Sequence, residues 1–284
     1  VSGRGLVVLA DGAQAAFCAG VVAELAASGV RWQEGAGAGL GAVVALLALA
    51  EDPEEAARRF ARLAEEQAAL FAPAVQLAQQ RLADRSLLLL PDPWRLSGWL
   101  SREVLEEYLA PEQALAGKAQ LYVALEELVE GRRGWQGLTC GEQLVAVCAF
   151  PWGWGPEGGR WGGVGACGEL PWPPLQATAV DLVCGFPVPP VARPGLEEAL
   201  FATLQRREEL AAAATVQRFL REVSGIRLWA PSQESYAAFA QRDNAELGVE
   251  YPLPAEQNGE LCELLVRYGR WVAAQGTRVP GGRA

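Results

Sequence analysis

The chain has 284 residues, enough for one large α/β domain or two small ones, and 51% of them are hydrophobic, so a buried core is available. A formal net charge of -10 repels nucleic acid and anionic lipid head groups over most of the surface. Histidine is absent, which removes Ser-His-Asp, Cys-His and His-ligated metal chemistry.

In chain order, Leu6–Ala10 (LVVLA) reads as a buried strand broken by Asp11-Gly12. Ala13–Ala27 carries helix-period apolar residues and stops at Ser28-Gly29. Val30–Glu34 is a weaker strand. Gly35–Gly41 is glycine-rich and reads as a turn, and Leu40–Ala50 continues as an apolar helix. Two strand-loop-helix units within fifty residues point to a parallel sheet with helices on its faces. Pro53–Arg85 and Arg102–Leu109 have helical patterns on either side of the Pro91-Asp92-Pro93 break. Gln120–Leu125 is a strand and Glu142–Phe150 a helix stopped by Pro151. Residues 151–174, rich in Trp, Gly and Pro, read as a loop with little regular structure. Val180–Phe186 is again a buried strand, followed by helix over Leu196–Val223, strand over Ile226–Ala230, and helices over Tyr236–Asn244 and Gly259–Gln275. No internal repeat and no convincing linker divides the chain, so a single domain over 1–284 is expected.

The cysteines at 18, 140, 148, 167, 184 and 262 form no CxxC pair and no metal-like spacing. They read as small buried residues of a reducing compartment. No signal-peptide pattern is visible, and the longest apolar run, Leu40–Ala50, is too short to span a bilayer. The expectation is a soluble cytoplasmic protein with no transmembrane segment, no metal, no cofactor and no nucleic-acid partner.

Several motifs, in order, carry a resemblance. GLVVLADGAQAAFCAGVVAEL resembles the opening strand, glycine loop and helix of the patatin-like phospholipases, and GAGAGLGAVVALLALA their nucleophile elbow and its helix. LYVALEEL, LVAVCAFP, GGRWGGVGACGELPW and ATAVDLVCGF then resemble the family's mid-chain strand, its A-S-x-A-I-P segment, its D-G-G loop and the strand after it. The resemblance covers roughly residues 5–190, with a helical extension over about 191–284. It implies a three-layer α/β/α sandwich with a mainly parallel central sheet. It also implies lipid acyl hydrolysis by a Ser-Asp dyad that needs no histidine, with a glycine-rich loop and its arginine stabilising the oxyanion.

Carried over residue by residue, the polar members are missing. Gly35-Ala36-Gly37-Ala38-Gly39 matches G-x-S-x-G with Gly37 at the serine position, where there is no nucleophilic atom. The aspartate falls on Gly163 when the match is anchored on Pro171, or on Trp161 when the aromatic-Gly-Gly triplet is aligned. The oxyanion loop corresponds to Asp11, Gly12, Ala13 and Gln14, with Gln14 at the arginine position. Asp11 reads as the N-cap of the helix from Ala13. Cys18 lies on that helix, and with no cation nearby in sequence to lower its pKa it reads as a buried inert thiol. Glu157 and Glu169 flank the lost aspartate as solvated loop carboxylates. Trp152, Trp154, Trp161 and Trp172 form an aromatic cluster that either plugs the old active-site mouth, as a platform for an acyl lipid or a protein partner, or packs the loop onto the core.

Three functions follow. The first is a catalytically inactive family member acting as a lipid-binding, ligand-binding or scaffold protein. The second is a hydrolase with residual or altered esterase activity through a non-standard nucleophile. The third is a nucleotide-binding domain, since Gly37-Ala38-Gly39-Leu40-Gly41-Ala42 fits G-x-G-x-x-A, although residues 51–70 read as a charged helix where an acid-tipped strand is required.

Overall fold

The computed structural model describes residues 3–10, 14–49, 57–58, 120–127, 131–139, 141–148, 161–163, 170–188, 200–243 and 259–276. The helical patterns at Pro53–Arg85 and Arg102–Leu109 fall almost wholly outside these residues. So do Asp11–Ala13, Trp152, Trp154, Glu157 and Glu169.

The first strand, β1 (Arg4–Ala10), pairs in parallel with β2 (Glu34–Gly39) on one side and β6 (Ala179–Cys184) on the other. Outside β2 lies parallel β3 (Gln120–Glu127), followed by antiparallel β4 (Arg132–Gly137) at the edge. Outside β6 lies parallel β7 (Ile226–Trp229). The short β5 (Trp161–Gly163) pairs antiparallel with β3, giving the order β4-β3-β2-β1-β6-β7 with β5 attached to β3. The architecture is therefore mixed α/β with a mostly parallel sheet, as the alternation of strand and helix patterns predicts.

Helices α1 (Gln14–Ala27), α2 (Gly41–Leu49) and α3 (Gly141–Cys148) cover one face, together with α5 (Gln233–Asp243) and α6 (Gly259–Gln275). Helix α4 (Leu200–Glu222) covers the other face through Ala212, Val216 and Phe219. The chain lays strands outward in one direction from β1 to β3, then in the other from β6 to β7. The helices that cross between parallel strands in the two directions, α1 and α2 against α4, lie on opposite faces, as right-handed crossovers require.

Burial explains the composition of α1. Its residues from Ala15 to Val22 are all buried, because the sheet lies beneath it and α6 above. A helix enclosed all round shows no polar stripe. The contact with α6 is close enough to require glycine from both helices. A Cβ at Gly20 would lie 2.8 Å from the Val266 carbonyl carbon, and one at Gly269 would lie 3.0 Å from that of Phe17. Helix α6 adds Tyr268, which is fully buried against Phe17, Tyr236 and Phe239 with ring centroids 5.1–5.3 Å apart.

Three expectations fail here. The glycine-rich run expected to be a turn is itself the interior strand β2, and Val30–Glu34 meets it only at Glu34. All six residues of β2 are buried, with Ala36 and Ala38 on the α4 face and glycines on the other, where α2 packs close to the strand. Small residues on both faces leave no period-2 hydrophobic signal. Strand β4 was not expected, because Arg-Arg-Gly-Trp-Gln-Gly is mostly exposed and polar, as befits a protected sheet edge. Strand β5 lies in the segment expected to lack regular structure.

At the amino-terminal end of the sheet, Asp181 is fully buried. It accepts hydrogen bonds from Arg227 Nε at 2.7 Å, Trp32 Nε1 at 3.0 Å, Arg4 Nη1 at 3.1 Å and Trp229 Nε1 at 3.3 Å. These donors come from three parts of the chain, β1, the entry of β2 and β7, and tie all three to β6. Burial pushes this carboxyl up. The hydrogen bonds from Arg227 and Trp32 and the charges of Arg227 and Arg4 outweigh that, leaving it below the usual aspartate value.

Candidate functional site

The carboxyl ends of β1 and β2 hold the strand-to-helix bend. Gly39 ends β2 opposite Ala10 and has a positive φ of 57°. Leu40 follows as the helix cap, its carbonyl accepting from Val43 and Val44, and α2 begins at Gly41. Gly37 is two residues upstream, inside the ladder between Val8 and Val123. The position carried over for the nucleophile therefore lies in a strand, and the bend is at Gly39.

The surrounding contacts reinforce this two-residue shift. A Cβ on Gly37 would lie 2.5 Å from the backbone nitrogen of Ala42, in the first turn of α2. A Cβ on Gly41 would lie 2.8 Å from the Val8 carbonyl carbon and 3.0 Å from the Ala10 nitrogen. Neither site has room for a side chain. A nucleophile elbow has the same pattern: glycine is needed two residues before and two after the exposed residue, because helix and strand backbones touch there. The segment that fits G-x-S-x-G sterically is Gly37-Ala38-Gly39-Leu40-Gly41, with glycine again at the centre. The run of alternating glycines permits both registers in sequence, so only the contacts distinguish them.

Gly163 arrives beside this bend. Strand β2 leaves β3 after the Gly37–Val123 pair, and β5 takes up the same edge of β3 from Leu125, with Gly163 leading toward the bend. Of the two alignments for the acid, Gly163 is thus nearer the bend than Trp161, which pairs with Glu127 farther along. Glu127, 8% exposed at the end of β3, is a buried carboxylate close to this region that sequence reasoning did not single out. Gln14 opens α1 at the end of β1. It packs against Gly185, whose Cβ, if present, would lie 2.8 Å from that of Gln14. Gly185 in turn donates its N–H to the Leu9 carbonyl.

Among the described residues, this rim offers glycine, alanine, leucine and one carboxamide, with the Glu127 carboxylate farther along β3 and no hydroxyl. The thiols of Cys18 and Cys184 are no substitute. Cys18 and Cys184 are both fully buried. Burial pushes the Cys18 thiol well above its usual value and the neighbouring Cys184 adds to this, while burial alone raises Cys184. A thiol held protonated in an apolar surround is a poor nucleophile. The hydroxyl cluster of Ser232, Ser235 and Tyr268 lies at the end of β7. That is three strands from β2, or roughly 14 Å at the usual strand spacing. It serves as the cap of α5. The Ser235 N–H donates to Ser232 Oγ at 3.1 Å, and Tyr268 Oη lies 2.5 Å from Ser235 Oγ. Burial pushes the Tyr268 hydroxyl up to about 12.

Of the aromatic cluster, Trp172 packs edge-on against Phe219 of α4 with centroids 5.1 Å apart. Trp135 Nε1 donates to the Pro171 carbonyl at 2.8 Å, and Arg218 donates to the Leu170 carbonyl. These contacts strap residues 170–177 across the α4 face of the sheet, so Trp172 packs the core. The glycine turn at 37–42 lies one strand away from the point where chain direction reverses, between β1 and β6. Dinucleotides bind at that reversal in open α/β sheets, which weighs against a nucleotide there. Among the described residues no group of three His, Cys, Asp or Glu side chains is placed to hold a metal, and no helix is long and apolar enough to cross a membrane. Comparison with protein-family models and with curated proteins finds no match.

Proposed function

We propose that this chain is a degenerate patatin-like protein that binds an acyl lipid or another ligand, or serves as a scaffold, and does not hydrolyse esters. The observation that carries this reading is the bend at Gly39. Backbone conformation and the two flanking glycines match what an elbow needs, while the residue that would project the nucleophile has only hydrogen. Acyl transfer through a covalent intermediate needs an oxygen or sulfur at that point. The arrival of Gly163 beside the bend supports the same alignment, with the acid lost as well.

The test is a serine restored in two registers. The purified chain is assayed on p-nitrophenyl esters and phospholipid vesicles and treated with a fluorophosphonate probe. It is expected to be silent in all three. Gly39→Ser combined with Gly163→Asp is expected to gain probe labelling and ester turnover, whereas Gly37→Ser with the same partner gains neither. Turnover by the unaltered protein, or labelling of Ser at 37 and not at 39, would sink the reading.

A further inference from the structure

At the opposite end of the sheet from the bend lies a cleft of about 620 Å³, whose lining includes Gly3, Trp32, Gln33, Glu34, Gln120 and Gln176. Among its described lining residues Glu34 is the only charged one, yet just 8% of it is exposed. One carboxylate oxygen, Oε1, accepts the backbone N–H of Ala177. Among the described residues, the other accepts no hydrogen bond.

Strand alternation explains the isolation. Successive side chains of a strand point to opposite faces. Glu34 belongs to the face of Ala36 and Ala38, whereas Arg4 lies on the face of Leu6 and Val8 and is engaged with Asp181. The sheet separates the two, so no basic side chain among the described lining residues compensates Glu34. Among the described residues, Glu34 thus keeps one hydrogen bond and meets no opposite charge, and a cation entering the cleft supplies one.

We infer that this cleft is a binding site for a small organic cation carrying a primary ammonium. The free oxygen of Glu34 supplies the charge-assisted acceptor. The carboxamide oxygens of Gln33, Gln120 and Gln176 at the rim accept the remaining N–H groups. Trp32 supplies an apolar wall, its indole N–H held by Asp181 at 3.0 Å. The chain's net charge of -10 draws cations toward it. One carboxylate is too few anionic ligands for a divalent metal site. This inference does not depend on the reading of the bend.

Calorimetric titration of the full chain with n-butylammonium chloride, and with neutral 1-butanol as the size-matched control, tests it. The ammonium is expected to bind and the alcohol not. Glu34→Gln keeps the acceptor for Ala177 and removes the charge, so it lowers ammonium affinity by about tenfold or more. Gln120 is exposed and sits directly across the ladder from Glu34 on the same face, so Gln120→Lys is expected to fill the site with its own ammonium and abolish binding while raising the unfolding temperature. Equal binding of alcohol and ammonium overturns the inference. So does undiminished binding in both variants, or the absence of ammonium binding to the unaltered protein.

Discussion

Replacing Asp181 by Asn keeps the shape of the side chain and removes its charge. Four donors converge on the carboxylate, and a carboxamide oxygen satisfies two of them at most. The two arginines are each 32% exposed at the side chain and turn to water at little cost, so their loss counts for little. The indoles of Trp32 and Trp229 are 8% and 5% exposed and have no such escape. One buried indole N–H left without an acceptor, together with an amide N–H now facing like donors, amounts to about 3 kcal/mol. Urea unfolding of the two proteins at neutral pH measures this difference. The pH dependence supplies the sign. Asp181 is held below its ordinary value in the folded protein. Its contribution is therefore fully present above the unfolded value of about 3.9 and is lost as pH falls through the lower folded value. The gap between parent and Asp181→Asn should be constant above about pH 5 and close in stronger acid. An Asn variant as stable as the parent, or a gap unchanged in acid, would refute the account of this network.

The α1–α6 contact predicts that Gly20→Ala destabilises by about 1–3 kcal/mol, because the added methyl meets the backbone at Val266; a thermal melt reads the shift, and Ala at the open, positive-φ Gly29 serves as the strained but unclashed control. Cys18 and Cys184 should resist iodoacetamide in the folded protein over the neutral range and react only after denaturation, as read by peptide mass spectrometry. Rapid native labelling of Cys18 would instead revive it as a candidate nucleophile.

Much of the layout was legible because it is written in hydrophobic pattern. LVVLA, QLYVAL and AVDLVC are apolar runs of strand length, and the helices over Gln14–Ala27 and Gly259–Gln275 lie where periodicity and stop signals put them. The absence of histidine and of a serine anywhere in Gly35–Gly41 is likewise read directly from the residues, whatever the fold. Packing had to supply the rest. Helix α2 lies so close to β2 that a glycine pattern typical of a turn becomes an interior strand. The same contacts move the bend from Gly37 to Gly39, a distinction invisible in a repeat of alternating glycines. Asp181 and Glu34 are ordinary acids in sequence, separated by 147 positions |i−j| in the chain from Glu34 to Asp181. One becomes a paired anchor and the other, among the described residues, a charge without a basic partner only because strands alternate their faces and the sheet brings Arg4, Arg227 and two indoles to one side.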